Sequence, residues 1–443
     1  MAQAKTGERY SVTISIAKPG TGDKTDYAAY NDAAVAEFTM VFALNKFPKG
    51  KARLIGQSAD VMAPASGTYG MVAFSSVEKT GDNRVYPMYI IKASRELVSS
   101  NACAIDIEFE VGNKGTQAVM DSMAVECSSI DAMKKLCTAA GIESVSYVDT
   151  KAASDNMVWR FVEGTLPQHL LTVVTHCVIP GDIAYWAFDE GTNKVVIGSF
   201  GTSKTSSTKR LLMYSQDANQ GTTFAAKKVN GSDTKVWFYN GYLPEDLSGE
   251  MRSARSPNLC IDSVGPNGEK EVGDCAADCW GAILEAMGAN PVYLEDAAYS
   301  KQVVVKTFPK NTHKMYAIAP YVRRYMNAEY AKRVTLNLYN NPGPKIGSCV
   351  HLYAESPVKR DGDFLPDPEY TARYIVIGKT IRKVSTTSVG LLGRTVDTTS
   401  SDMVTEMYLA SNAGYAGIAG KEYQEVVKLA EAVVNNVGKD GKK

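Results

Sequence analysis

The stretch MVWRFVEGTLPQHLLTVVTHCVIPGDIAYWAFDEGTNKVVIGSF, residues 157–200, carries the clearest local pattern in the chain. Its first residues alternate, with Trp159 and Phe161 on one face, which predicts a strand. Thr165 is a typical helix N-cap, and Pro167 falls in the first helical turn, where proline costs little. The residues on either side of DEGTNK predict a β-hairpin. The stretch therefore predicts a strand, a short helix and a hairpin.

The helix in this stretch has one apolar face. Its apolar residues recur at helical spacing, which predicts that this face is buried. They are Leu166, Leu170, Val173, Val174 and Cys177.

Composition indicates a folded protein without a global charge. The chain has 443 residues, of which 44% are hydrophobic and 22% charged, as in folded domains. This length predicts about three domains. Lys and Arg total 48, as do Asp and Glu. No net field therefore steers the chain to nucleic acid or to acidic lipid.

The N-terminus MAQAKTGERYSVTISIAK has no apolar signal-peptide core. No stretch approaches the ~20 apolar residues that a membrane helix needs. We expect the chain to be made and folded in the cytoplasm. Its eight cysteines are then expected to be free thiols that behave as small apolar residues. They are Cys103, Cys127, Cys137, Cys177, Cys260, Cys275, Cys279 and Cys349.

Residues 9 to about 112 show a β pattern throughout. Short segments such as RYSVTISIA, AEFTMVFAL, ARLIGQSADV, YGMVAFSSV, RVYPMYIIKA and ACAIDIEFEV are separated by turn-rich pieces. Strands at this spacing are typical of a barrel or a sandwich. SMAVECSS predicts one more strand. SSIDAMKKLCTAAGIE then predicts a helix with a serine cap and a stop at Gly141.

The C-terminal part predicts a second small β-barrel. Residues 319–333 predict a helix that starts at Pro320, and RVTLNLY then places Val334, Leu336 and Leu338 on one face. The turn NNPGPKIG, the strands CVHLYAES, ARYIVIGKTIRKV and DMVTEMYLA, and a long polar loop at 359–369 follow. A final helix is predicted at about 420–437.

Residues 205–318 are less regular. They combine Ser/Thr/Lys-rich linkers, the segment VWFYNGYL, a polar loop at 253–278 and a short helix around Cys279–Met287.

The reactive residue types do not form a recognisable catalytic or metal motif. His169 and His176 are two helical turns apart, about 10.5 Å, which is too far for one metal ion. His176 and Cys177 are neighbours on a helix, so their side chains diverge. Cys275 and Cys279 form C-x3-C rather than C-x2-C. With Cys260, a metal site or a disulfide is the weaker alternative to free thiols.

Two further motifs are interpreted as structural. IGKT at 377–380 resembles the end of a phosphate loop, but Arg373 stands where that loop requires glycine, and the motif lies within an alternating segment. The acidic residues of the polar loop lack the spacing of an EF-hand, so a solvated loop is favoured over a weak cation site. They are Asp361, Asp363, Asp367 and Glu369. Hydrolase, dinucleotide and zinc-protease motifs are absent from the sequence. We therefore predict no catalytic residue, no metal and no cofactor.

The order of these elements resembles the central baseplate hub proteins of contractile bacteriophage tails. It is also similar to the related N-terminal part of type VI secretion spike proteins. The resemblance is carried by VWRFVEGTLPQHLLTVV…KVVIGSF and by RVTLNLYNNPGPKIGSCVHLY…ARYIVIGKTI, within about 156–200 and 330–410.

The resemblance implies an α+β, mainly β fold with two tail-tube-like β-barrels, a small α/β domain and an inserted or decorating region. The implied boundaries are 1–112 for the first barrel, 113–204 for the small domain, 205–318 for the insertion, 319–412 for the second barrel and 413–443 for a C-terminal helix and tail. The implied core of the small domain is Trp159, Phe161, Leu170, Val173, Trp186 and Phe188. Burial of each large side chain contributes about 1.5–3 kcal/mol. The second barrel has Val334, Leu336 and Leu338 in its strand and Asn341, Pro342 and Gly343 in its turn.

The resemblance also implies a function. Three chains with two barrels each would form a homotrimeric ring that joins the six-fold tail tube to the three-fold central spike and encloses the channel for DNA. Partners would be the tail tube or tube-initiator protein and the spike, with the tape-measure protein and the baseplate wedge as further partners. The chain would be in the virion tail after assembly in the host cytoplasm. Alternatives are a tube-initiator or adaptor ring with another copy number and, less favoured, a cysteine-dependent tail-associated hydrolase.

Overall fold

The computed structural model describes most of the β-rich parts of the chain. The described residues are 10–18, 26–57, 63–77, 83–99, 101–112, 116, 118–149, 151, 153, 155–179, 182–204, 210–213, 225–229, 232–238, 259–264, 270–271, 304–309, 332–339, 341–360, 363–385, 401–411 and 421–440.

The first β region is an antiparallel sheet with strand order β3-β4-β7-β6-β5-β1-β2. Its strands are β1 (Tyr10–Ala17), β2 (Tyr27–Tyr30), β3 (Val35–Ala43), β4 (Lys49–Gln57), β5 (Tyr69–Ser76), β6 (Arg84–Leu97) and β7 (Ala102–Val111). Alternate side chains point to one side, as the alternating sequence predicts. The sheet curls over this side, because Phe38 of β3 lies 5.7 Å from Phe74 of β5 between ring centroids.

A middle unit follows, made of two main helices and three small sheets. Its elements are β8 (Val119–Met120), β9 (Met123–Cys127), α1 (Ser129–Ala139), β10 (Ser144–Ser146), β11 (Met157–Phe161), β12 (Gly164–Thr165), α2 (Leu166–Thr175), β13 (Ala184–Phe188), β14 (Val195–Ser199) and α3 (Phe200–Lys204). β11 pairs with β9, β12 with β8, and the β13–β14 hairpin with β10. The predicted strand, helix and hairpin of residues 157–200 are therefore confirmed.

Residues 205–318 contribute six described strands. They are β15 (Arg210–Met213), β16 (Ala225–Val229), β17 (Ser232–Phe238), β18 (Leu259–Val264), β19 (Lys270–Glu271) and β20 (Val304–Pro309). β15 pairs in parallel with a later strand, Cys349–Tyr353, and with β17, which in turn pairs with β16. Strands β15, β16 and β17 are therefore all part of the large sheet. The predicted helix around Cys279–Met287 lies outside the described residues.

The second β region contains β21 (Lys332–Tyr339), β22 (Cys349–Tyr353), β23 (Glu355–Arg360), β24 (Asp363–Pro366), β25 (Ala372–Ser385) and β26 (Ser401–Ser411), and α4 (Lys421–Asp440) follows it. β21 pairs with β26, and β26 pairs with β25. Helix α4 confirms the predicted C-terminal helix and packs its Val426 and Leu429 against Leu211 and Met213 of β15.

Strand β25 belongs to both β regions. Its first residues pair with β22, from Ala372 to Ile375. After an irregularity between Val376 and Gly378, the same side of the strand pairs with β3, from Gly378 to Val384. A single 14-stranded sheet therefore runs through both regions. Among the described residues no strand pairing closes this sheet into a barrel.

Two sequence predictions need correction. The polar loop expected at 359–369 begins as a hairpin, because Lys359 pairs with Phe364 and Arg360 with Asp363. Backbone pairing needs no apolar side chains, and the intervening Asp-Gly is a favoured hairpin turn sequence. Lys332 and Arg333, placed at the end of a predicted helix, instead begin strand β21. The rest of that helix lies outside the described residues.

Candidate functional site

The six residues expected in the core of the small domain are all buried. Trp159, Leu170, Val173 and Trp186 are fully buried, and Phe161 and Phe188 almost so. They lie in one apolar cluster that continues into the first β region. Phe47, in the loop after β3, has its ring centroid 5.0 Å from that of Trp186. The middle unit is therefore packed directly on the first sheet.

A buried carboxylate joins the two halves of the middle unit. Asp155 is fully buried, and its two oxygens accept hydrogen bonds from the backbone N–H groups of Ser129 (2.9 Å) and Val178 (2.8 Å). Ser129 is the first residue of α1, where the N–H groups have no partner within the helix. Asp155 therefore satisfies a helix terminus and fixes the end of α2 beside it.

The histidines and cysteines of the predicted structural stretch have structural contacts. His176 Nδ1 lies 2.7 Å from the carbonyl oxygen of Thr172 in its own helix. The Ser129 hydroxyl donates to the Cys177 sulfur over 2.9 Å. His169 is buried beside the Phe161 ring, and burial lowers the pKa of its imidazole.

Five cysteines, Cys103, Cys127, Cys137, Cys177 and Cys349, are free thiols. Burial raises the pKa of Cys137 to about 12 and that of Cys349 to about 11, so both stay protonated at neutral pH. A protonated thiol is a poor nucleophile and a poor metal ligand. Among the described residues, no group of three His, Cys, Asp or Glu side chains could hold a metal ion. Cys275 and Cys279 lie outside those residues.

The turn residues of the second β region are also buried. Val334, Leu336 and Leu338 form part of the second apolar cluster. The Asn341 side chain accepts a hydrogen bond from the Gly343 N–H over 2.8 Å, which closes a tight turn. Gly343 has a φ of +70°, a conformation that favours glycine. This turn directs the carbonyl groups of Pro342, Gly343 and Pro344 into the protein.

These carbonyl groups belong to a buried charge cluster, defined by Arg84, Tyr86, Glu190 and Lys379. Lys379 and Glu190 are each 0% exposed, and Lys379 Nζ donates to Glu190 Oε2 over 2.6 Å. The same carboxylate oxygen accepts from Arg84 (2.9 Å) and from the Tyr86 hydroxyl (3.0 Å). The cluster thus links β6, the β13–β14 hairpin turn and β25.

The turn supplies the remaining hydrogen bonds of the cluster. Lys379 Nζ also donates to the carbonyl oxygens of Pro342 (2.9 Å) and Pro344 (3.1 Å), so all three ammonium hydrogens have acceptors. Arg84 donates to the Gly343 carbonyl oxygen over 2.8 Å. The backbone N–H of Ile346 donates to the other oxygen of Glu190 over 2.9 Å. The cluster therefore connects four segments that are distant in sequence: β6, the β13–β14 hairpin turn, the turn at 342–346 and β25.

The pKa values of Lys379 and Glu190 depend on their burial and on the neighbouring charges. Burial lowers the pKa of Lys379 to about 7, although Glu190 favours its charged form. Burial opposes ionisation of Glu190, but Lys379 and Arg84 outweigh it and lower the pKa of the carboxyl. The anion is thus held ionised by two cations. Removal of Glu190 would be costly, because it leaves an uncompensated buried charge.

Sequence reasoning missed this cluster but had a signal for it. Lys379 lies in the IGKT motif and Glu190 in the DEGTNK turn, and neither pattern predicts a charge cluster. In β25, Lys379 and Lys383 each lie two residues from Ile381 and therefore face the same side of the strand. Ile381 is buried on that side. Lys383 is also buried, and its ammonium contacts Asp32 at 2.8 Å. An inward lysine in a strand requires a buried partner, but the sequence does not identify which one.

The outward sides of β4 and β7 carry a row of charged side chains. Basic residues of β4 face acidic residues of β7, with N–O distances from 2.7 to 3.4 Å in the pairs Lys49–Glu110, Lys51–Glu108 and Arg53–Asp106. Exposed pairs of this kind add little stability, about 0–1 kcal/mol each.

No helix in the described residues combines the length and the apolar character that crossing a membrane requires. No protein-family model matches the chain, and no curated protein matches it.

Solved structures do resemble the chain. A 43 kDa tail protein of prophage MuSo2 from Shewanella oneidensis is 8% identical with a TM-score of 0.46, over 90% of this chain and 97% of that one. A tail protein from Neisseria meningitidis MC58 is 11% identical with a TM-score of 0.44, over 93% and 98%. The Francisella PdpA–VgrG complex is 7% identical with a TM-score of 0.45, over 93% of this chain and 54% of that chain. The first two are described as tail proteins.

Proposed function

We propose that this protein is a structural subunit of a phage tail baseplate. In this proposal it forms a hub ring that joins the six-fold tail tube to the three-fold central spike and encloses the channel for DNA. The observation that carries the proposal is strand β25, which pairs with β22 in one β region and with β3 in the other. One chain thereby presents two β regions in a fixed relation.

The ring follows from this arrangement. Three chains, each with two barrel-like β regions, supply six units toward the tube and three-fold symmetry toward the spike. The buried charge cluster supports this role, because it joins both β regions and the middle unit by hydrogen bonds at one point. Rings close when two different surfaces of each copy meet in a head-to-tail manner.

The proposed domains are those that the resemblance implies, with one adjustment. The barrels are 1–112 and 319–412, the small α/β domain is 113–204, and the C-terminal helix and tail are 413–443. The decorating region of 205–318 is proposed to begin after Phe238, because β15 pairs with β22, and β17 and β16 extend the same sheet beyond β15.

The proposed partners are other copies of this chain, the tail tube or its initiator protein, and the central spike. The tape-measure protein and the baseplate wedge are further partners in the same assembly. The protein would act in the virion tail without catalysis and would be assembled in the host cytoplasm.

The native mass of the purified protein tests this proposal. Sedimentation equilibrium should show three 47.9 kDa chains, either for the protein alone or after addition of its spike protein. A hexamer would instead favour a tube-initiator or adaptor ring. A chain that stays monomeric with both tube and spike proteins would contradict any ring.

A further inference from the structure

One face of the large sheet continues from the first β region into the second. Lys51 of β4 lies opposite Thr39 of β3, and Thr39 lies opposite Arg382 of β25. Arg382 in turn lies opposite Val404 of β26. Directly opposed residues of neighbouring strands point to the same side of a sheet, so both β regions present this face in the same direction. The residues between them point into the apolar core: Phe38, Met40, Ala52 and Ile381.

This shared face is charged and open to water. The side chains of Lys49, Lys51 and Arg382 are 66%, 72% and 62% exposed. The buried centre of a protein–protein interface is depleted of charged residues. The shared face is therefore suited to contact with water rather than to burial against another protein.

The cations of β4 form a regular row. Lys49, Lys51 and Arg53 are two residues apart, so consecutive cations are about 6.6 Å apart along the strand. Arg382 of β25 continues the charged face beyond β3. A row of free exposed cations binds the phosphates of DNA, because each contact releases a counterion. By itself the row would be a binding site for a polyanion.

Carboxylates of neighbouring strands neutralise this row. On β7, Glu110 lies 3.4 Å from the ammonium of Lys49, and Glu108 lies 2.7 Å from that of Lys51. The hydrogen bond from Lys51 lowers the pKa of the Glu108 carboxyl, so this group is ionised at neutral pH. The remaining cations are paired in the same way, as Arg53–Asp106, Arg53–Glu96 and Arg382–Glu406. Such exposed pairs add little stability, so their main effect is on the charge that the face presents.

We propose that this face forms the wall of the channel, and that the β7 carboxylates keep the β4 cations from holding the phosphates of passing DNA. The proposal rests on the proposed function, because only the ring encloses a channel. Both β regions of each chain turn the same hydrated face toward the axis, as six similar wall units require. Free cations on this wall would hold DNA by its phosphates, whereas paired cations let it move.

Removal of two carboxylates tests the role of the ion pairs. Glu108→Gln with Glu110→Gln frees Lys51 and Lys49 and leaves both lysines in place. We expect this double variant to bind a short DNA duplex at least about tenfold more tightly than the wild type in fluorescence anisotropy. Its log–log salt dependence should be steeper by about 2, because two more phosphates are neutralised. Circular dichroism checks that the variant folds.

A matched control makes the same charge change elsewhere. Asp26→Asn with Glu143→Gln frees Lys18 and Lys194, which belong to other exposed ion pairs. This control should bind DNA like the wild type, because its two freed lysines are not part of the β4 row. Equal DNA affinities of the two double variants would overturn the role of the β7 carboxylates.

A cysteine on the face tests its position in the ring. Thr39→Cys places a thiol on β3 within the face, and Thr13→Cys places one on β1, outside it. In the ring with its spike protein bound, N-ethylmaleimide should react with both thiols. A maleimide on a polyethylene glycol chain wider than DNA should react with Thr13→Cys but not with Thr39→Cys. The wild type gives the background from the native cysteines.

The outcomes separate this proposal from the ring itself. In a ring, reaction of Thr39→Cys with the wide reagent would place the face outside the channel and overturn the proposal. Protection of Thr39→Cys from both reagents would place the face in a contact between copies and overturn it as well. A chain that forms no ring would contradict the proposed function and with it the channel wall. The DNA measurement would then still decide whether the β7 carboxylates oppose binding.

Discussion

Lys379 Nζ lies 2.6 Å from Glu190 Oε2, and both side chains are fully buried. They belong to segments 189 positions apart in the sequence. With Arg84 and the turn at Pro342–Pro344, they hold both β regions and the middle unit at one point. The buried charge cluster therefore connects the two β regions of a single chain.

Neutralising Glu190 should cost more than removing Lys379. Glu190→Gln leaves the buried Arg84 guanidinium without a counter-charge and should lower the free energy of unfolding by about 3–5 kcal/mol. Lys379→Met keeps the Arg84–Glu190 pair balanced but orphans two proline carbonyl groups, at about 1–3 kcal/mol. Urea denaturation followed by tryptophan fluorescence measures both. Equal losses would show that charge balance does not govern the cluster.

The stability of the protein should depend on pH through Lys379. Its pKa is about 7 in the folded protein, against an ordinary value of 10.5. Between these values the unfolded chain binds a proton that the folded chain does not, so stability rises with pH. We expect the free energy of unfolding of the wild type to increase between pH 7 and 10, relative to that of Lys379→Met. If the free energies of unfolding of the two proteins change equally with pH, the result would contradict a lowered pKa of Lys379.

A small amine should partly replace the missing lysine ammonium. Lys379→Ala leaves a cavity bordered by the Glu190 carboxylate and the carbonyl groups of Pro342 and Pro344. Methylammonium carries N–H donors for these acceptors and should raise the melting temperature of the variant more than that of the wild type. Tetramethylammonium, which has no N–H, is the control. An equal effect of both ions would indicate a general salt effect.

Gly343 should tolerate a methyl group less well than Gly141. Both have positive φ, +70° and +67°. A Cβ at Gly343 would lie 2.9 Å from Leu338 Cδ1, whereas at Gly141 it would meet nothing within 4 Å. Both alanine variants lose about 1–2 kcal/mol to the left-handed conformation. Gly343→Ala should lose about 1–3 kcal/mol more through overpacking. Thermal denaturation compares the stabilities of the two variants. Similar losses of stability would show that the turn at Gly343 shifts to accommodate the methyl group.

Local patterns predicted much of the secondary structure. The strand, helix and hairpin of 157–200, helix α1 with its Ser128 cap and Gly141 stop, and the strands of both β regions follow from side-chain period and from capping chemistry. These signals act between residues near each other in sequence, so a single sequence contains them. The polar composition of residues 359–369 predicts a loop, but the segment begins as a hairpin, because two polar segments can still pair through their backbones.

The sequence by itself determined which segments form strands and helices and which of their faces are apolar. Only the tertiary structure decided that β25 pairs with β3, and that Lys379 meets Glu190, Arg84 and the turn at Pro342. Strand neighbours and buried charge partners depend on contacts between residues hundreds of positions apart. Period and propensity fix the direction in which a side chain points, but the partner it meets depends on how the whole chain packs.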